Sequence, residues 1–91
     1  MRIMLKSRLR GYVTDTNLEC EGSITIGKEI LDFCDILPDE QVHVLNVNTS
    51  ERFTTYAREG KDGEIILNGA AARKGKAGDP VIILTYEIRE V

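Results

Sequence analysis

The sequence predicts a mainly β protein, a small closed barrel of six or seven short strands with one or two small helices. Three observations predict it. Most apolar residues sit in short runs bounded by Gly, Pro, Asn or Asp, which is the punctuation of strands and turns. One segment alone has clear helical spacing. The chain has 91 residues, enough for a single domain over 1–91, and closure relieves so small a sheet of its exposed edges.

The elements follow in order. Ile3-Met4-Leu5 opens a first strand, and Gly11-Tyr12-Val13-Thr14 starts another, with Asp15-Thr16-Asn17 as a turn signal. Ser23-Ile24-Thr25-Ile26 alternates polar and apolar residues, as a half-buried strand does, and Gly27 breaks it. Residues Lys28 to Leu37 form the helix, with apolar positions 30, 33, 34 and 37 on one face and Pro38 as the stop. Gln41 to Val47 is a strand with Val42 and Val44 on one face and Gln41 and His43 on the other. Arg52 to Arg58 is rich in β-formers, and Glu64 to Leu67 follows a Gly60-Lys61-Asp62-Gly63 turn. Asn68-Gly69-Ala70-Ala71-Ala72-Arg73 is a turn entering a short helix, and Pro80 to Ile88 is the last strand.

Composition excludes several classes. With 42% hydrophobic and 30% charged residues and a net charge of −3, the chain can bury a core, so disorder is excluded. No apolar run approaches the roughly 20 residues of a membrane-spanning helix. The N-terminus carries Arg2, Lys6, Arg8 and Arg10 with no apolar stretch after them, so no secretory signal is expected. Cys20 and Cys34 lack metal-ligand spacing and read as free thiols of a reducing cytoplasm. No metal site is expected. Residues 15–64 carry twelve acids against four bases, which disfavours nucleic acid as a partner. The basic head suits an anionic small molecule or the acidic body of a neighbouring subunit. His43, the single histidine, has no partner that its position identifies.

Three segments add chemistry. Glu21-Gly22-Ser23-Ile24-Thr25-Ile26, Arg52-Phe53-Thr54-Thr55-Tyr56-Ala57 and Asn68-Gly69-Ala70-Ala71-Ala72 resemble, in order and spacing, the aspartate 1-decarboxylase family. Met4 to Leu9, Val13-Thr14, Leu31-Asp32, Ile36-Leu37 and Gly78 to Ile83 extend the resemblance over nearly the whole chain. It implies a six-stranded double-psi β barrel and a cytoplasmic homotetramer with active sites between subunits. It also implies a pyruvoyl cofactor made from the chain itself, decarboxylation of L-aspartate to β-alanine and CO2 on the route to pantothenate, and room for a processing partner.

The chemistry suits these residue types. Losing CO2 from an amino acid leaves a carbanion that no side chain can delocalise, so a cofactor must. A pyruvoyl carbonyl does this after forming a Schiff base with the substrate amine. The resemblance makes Gly22-Ser23 the self-cleavage site: the Ser23 hydroxyl attacks the Gly22 carbonyl, and the residue left after elimination becomes pyruvoyl. Glycine at 22 leaves that carbonyl open and permits a strained backbone. By the same resemblance Arg52 and Arg8 meet the substrate carboxylates. Thr55 assists cleavage and contacts substrate, and Tyr56 reprotonates the carbanion. Asn68 lies near the pyruvoyl group, and Gly69, Ala70 and Ala71 present backbone to the substrate. Strand alternation sets Thr55 and Tyr56 on opposite faces, so both reach one site only if the strand is irregular there or they serve different parts of a subunit interface.

The sequence departs from the family pattern at named positions. Arg8 stands for a lysine, Arg10 for a histidine, Cys20 for a tyrosine and Arg73 for a histidine, and the chain ends at Val91 where members continue. Two alternatives therefore stand beside aspartate decarboxylation: a pyruvoyl decarboxylase of another small amino acid, and an unprocessed barrel that binds without catalysis.

Overall fold

A computed structural model describes residues 1–91. The elements are β1 (Arg2–Tyr12), β2 (Asp15–Asn17), β3 (Ser23–Gly27), α1 (Lys28–Cys34), β4 (Gln41–Asn46), β5 (Arg52–Gly60), β6 (Ile65–Asn68), a 3-10 helix (Gly69–Lys74) and β7 (Pro80–Arg89). The protein is mainly β, as its sequence predicts, and its strands form one sheet in the order β1-β7-β4-β5-β3-β6-β2. The β2–β6 and β3–β5 pairs are parallel and the others antiparallel.

The strand count is seven rather than six, and the pairing does not close into a continuous ring. The two edge strands, β1 and β2, are separated in sequence only by Val13 and Thr14. That short link forces the sheet to curve until its ends come near one another. Val13 stitches the curve: its N–H donates to the Asp79 carbonyl at 2.9 Å, and its carbonyl accepts from Gly78 N–H at 2.7 Å. Thr14 N–H then donates to the Ile65 carbonyl at 2.7 Å, and Thr14 Oγ1 accepts from Ile65 N–H at 3.0 Å. The double-psi β barrel that the resemblance implies is consistent with this curved sheet.

Several strand ends shift by one or two residues, and three elements differ more substantially from the sequence-based expectation. Residues 2–12 form one strand, not two, because β7 is long enough to pair along the whole of it, with a register shift between Leu5 and Ser7. Asp15-Thr16-Asn17 is a strand rather than a turn, held by parallel pairing to Ile66, Leu67 and Asn68. The helix ends at Cys34, ahead of Pro38, because Asp35 turns left-handed (φ 55°) and Ile36 N–H donates back to the Leu31 carbonyl at 2.8 Å.

That early stop also changes the buried face of α1. Leu31 and Ile36 enter the core, Ile30 and Cys34 pack beside it, and Phe33 and Leu37 stay in solvent. The rest of the core comes from the inward rows of the strands, with Ile24, Ile26, Val42, Val44, Leu67 and Ile83 fully buried. Each such side chain contributes about 1.5–3 kcal/mol of transfer free energy. Val42 and Val44 face inward and Gln41 and His43 outward, as their alternation predicts. No helix is long and apolar enough to cross a membrane.

Candidate active site

Ser23 opens β3 directly opposite Asn68, the last residue of β6. Cross-strand partners share a face of the sheet, so the two side chains meet. Asn68 Nδ2 donates to Ser23 Oγ at 3.1 Å and to Thr25 Oγ1 at 2.9 Å. Ser23 Oγ in turn donates to the Glu21 carbonyl at 3.1 Å. Ser23 and Asn68 are both buried. The hydroxyl is therefore oriented from two sides in a site that excludes most water.

Gly69 begins the 3-10 helix with a left-handed φ of 61°. A Cβ there would lie 2.7 Å from Gly22 N and 2.9 Å from the Glu21 carbonyl carbon. The start of the helix thus packs directly on the backbone that precedes Ser23. Gly22 corrects one expectation. Its φ is not in the left-handed region, and a Cβ on it would meet nothing within 4 Å. The residue that requires glycine is Gly69, while Gly22 borders open space.

That space is a cleft of about 290 Å³ lined by Gly22, Phe53, Thr54, Thr55, Tyr56, Ala70, Ala71 and Lys74. A smaller one of about 100 Å³, on the Ser23 side, is lined by Glu21, Gly22, Ser23, Asp39, Tyr56 and Arg58. Gly22 and Tyr56 border both. Thr55 is buried and Tyr56 half exposed, as alternation requires, yet both reach the larger cleft. The pairing explains how. Over Arg52–Tyr56, β5 bonds only to β4, and its pairing to β3 begins at Ala57. The free edge lies beside Gly22, so side chains from either face can border it.

Arg8 and Arg52 are not brought to these clefts. Both sit exposed on the outer face of the sheet, where Arg8, Leu84, His43 and Thr54 form one cross-strand row. Arg52 Nη2 donates to Tyr86 Oη at 3.2 Å and lies 3.4 Å from His43 Nδ1. The chain's five ion pairs use Lys6, Lys28, Arg58, Lys74 and Arg89. Arg8, Arg10 and Arg52 are thus cations without a carboxylate partner inside the chain.

Lys74 and Arg58 border the clefts and were not candidates from the sequence. Arg58 Nη1 donates to Asp39 Oδ1 at 2.9 Å. Lys74 had a readable signal. A 3-10 helix has three residues per turn, so the residue three after Ala71 lies on the same side. Cys20 is an exposed free thiol whose Sγ lies 3.0 Å from Asn17 Nδ2.

Comparison with known proteins places this geometry in context. The family model described as aspartate decarboxylase matches residues 1–91. The aspartate 1-decarboxylase of Thermoanaerobacter pseudethanolicus is 51% identical over 92 residues, covering 98% of this chain and 79% of that protein. That of Pyrobaculum islandicum is 46% identical, covering 96% of this chain and 73% of its own length. That of Dehalococcoides mccartyi (strain ATCC BAA-2266) is 52% identical, covering 93% and 71%.

Proposed function

Because the chain belongs to the aspartate decarboxylase family, we propose that it converts L-aspartate to β-alanine and CO2 in the cytoplasm, on the route to pantothenate, using a pyruvoyl group made from its own Ser23. The observation that carries this reading is the gathering of Ser23, Asn68, Thr55 and Tyr56 around the Gly22 backbone. The residues present fit such a group: a buried, oriented serine hydroxyl adjoins a peptide bond with open space beside it.

Cleavage proceeds through the chain's own atoms. Ser23 Oγ adds to the Gly22 carbonyl carbon, and its proton passes to the Ser23 nitrogen as the C–N bond breaks and an ester forms. Thr55, on the Gly22 cleft, steadies the oxyanion of that addition. Loss of the Ser23 α-proton with scission of the Cβ–O bond releases residues 1–22 with a free carboxylate. Water then replaces the nitrogen at residue 23, and ammonia leaves. Asn68, which already donates to Ser23 Oγ, holds that oxygen through the addition and, once the Cβ–O bond breaks, is left beside the new Gly22 carboxylate that carries it.

Once formed, the pyruvoyl group supplies the electron sink that loss of CO2 requires. Tyr56, half exposed at the junction of both clefts, delivers the proton to the α-carbon. Ala70 and Ala71 form the small-residue wall that admits the substrate. Gly69 allows that wall to lie against Gly22. The working unit is a homotetramer with its sites between copies. Arg8 and Arg52, free of carboxylates on the outer face of one copy, reach the substrate beside Ser23 of the next, Arg52 on a carboxylate.

The test is β-alanine formation from L-aspartate by the wild type and by Tyr56→Phe. The wild type should form it. The variant should still cleave, because its phenol has no part in that step, while kcat falls by about 10²–10⁴-fold. Absence of β-alanine from fully cleaved wild-type protein would remove aspartate as the substrate.

A further inference from the structure

Lys74 is the one cation among the eight residues that line the larger cleft, with Gly22, Thr55, Tyr56 and Ala71 among its neighbours. Its backbone is held in place: the Lys74 carbonyl accepts from Asn46 Nδ2 at 3.0 Å, and the same nitrogen donates to Asp79 Oδ2 at 2.9 Å. Asn46 is fully buried. The next residue, Gly75, passes so close that a Cβ on it would lie 2.8 Å from that nitrogen. The base of the lysine is fixed, and its four-carbon stem can still swing.

The ammonium has only a weak internal partner. Lys74 Nζ lies 3.5 Å from Glu51 Oε2, and both side chains are nearly half exposed. Such pairs contribute little in water, so a carboxylate entering the cleft can displace Glu51. Arg58, the cation of the neighbouring cleft, is committed more tightly to Asp39 at 2.9 Å, in a space of about 100 Å³.

We propose that Lys74 binds one carboxylate of a dicarboxylic substrate, swinging into the cleft from Glu51, which lies outside it on the neighbouring polar groove. This rests on the decarboxylase reading above. The carboxylate concerned is the one that stays on the product. A cation fixed on the departing carboxylate would stabilise the ground state more than the transition state, in which that charge is being lost, and would slow the step. Lys74 is thus a specificity residue: it favours diacids over amino acids with a neutral side chain.

The experiment compares wild type, Lys74→Met and Lys74→Arg. The extent of cleavage is first read from denatured masses. KM and kcat for L-aspartate are then measured, with inhibition by succinate, a diacid lacking the amine. Lys74→Met should cleave like the wild type, raise KM about tenfold or more and weaken succinate inhibition by the same factor, with little change in kcat. Lys74→Arg should recover most of the affinity. A cleaved Lys74→Met with unchanged KM and succinate inhibition would overturn the role of Lys74 and leave the decarboxylase reading standing. Wild-type protein that never cleaves would remove that reading, and this inference with it.

Discussion

Ser23 is held by two hydrogen bonds, and the residues that make them possible are not its sequence neighbours alone. Asn68 faces it only because β3 and β6 pair antiparallel with Ser23 opposite Asn68. Gly69 then lets the chain fold back onto residues 20–22. Gly69→Ala places a side chain in the left-handed region, at a cost of about 1–2 kcal/mol, and drives a methyl group toward the Gly22 nitrogen. It should lower the melting temperature and slow cleavage by displacing the peptide bond to be cut. A melting scan with a cleavage time course checks this, and wild-type cleavage kinetics would contradict it. Ser23, Thr55, Tyr56, Asn68 and Gly69 to Ala71 were all readable as a set, and the fold brings them to one region. The strain expected at Gly22 was not there, because a lone Gly in a sequence does not reveal whether it serves for its φ or for the space beside it. Lys74 was missed because its place three residues after Ala71 puts it on the same side only in a 3-10 helix, and the run of alanines did not distinguish that helix from another short one.

The strands and the helix show where sequence patterns suffice and where tertiary pairing decides. Alternation in Gln41–Asn46 predicted its faces correctly, since Val42 and Val44 are buried by the core. The helix was read three residues too long, because a left-handed Asp35 has no strong sequence mark. The single strand over 2–12 depends on pairing to β7, and that over 15–17 on pairing to β6, each a partner distant in sequence. The seam near β7 is organised by Asp79, a buried carboxylate. It accepts from Asn46 Nδ2 at 2.9 Å, Asn48 Nδ2 at 3.1 Å and Lys76 N–H at 3.0 Å. Those donors hold its carboxyl below the ordinary carboxylate range. A depressed folded-state pKa stabilises the fold above the unfolded value near 4, and that stability drains away as pH falls through the folded value. Asp79→Asn should therefore lower the melting temperature clearly at pH 7 and by less at a pH below about 4, where the stabilisation drains away. Equal losses at both pH values would show that packing, not charge, governs the seam.

On the proposed reading, two copies complete each site. The cleft around Gly22 is lined by neither Arg8, Arg10 nor Arg52, which sit exposed on the outer face of the sheet. The sequence's basic head suits either an anionic small molecule or a neighbouring subunit, and the register that puts Arg8 and Arg10 on an outer face emerges only from the sheet. Co-assembly of two inactive variants, Ser23→Ala and Arg52→Ala, should restore activity, because some sites then combine an intact Ser23 from one copy with an intact Arg52 from another. No recovery in confirmed mixed assemblies would mean that Arg52 does not act across an interface. Beneath all of this lies the claim that the protein cuts itself at residue 22. The mass of the purified chain under denaturing conditions tests it most directly. The prediction is two species, residues 1–22 ending in a free carboxylate and residues 23–91 beginning with a pyruvoyl group. A single uncut chain of 91 residues that persists after long warm incubation would contradict it.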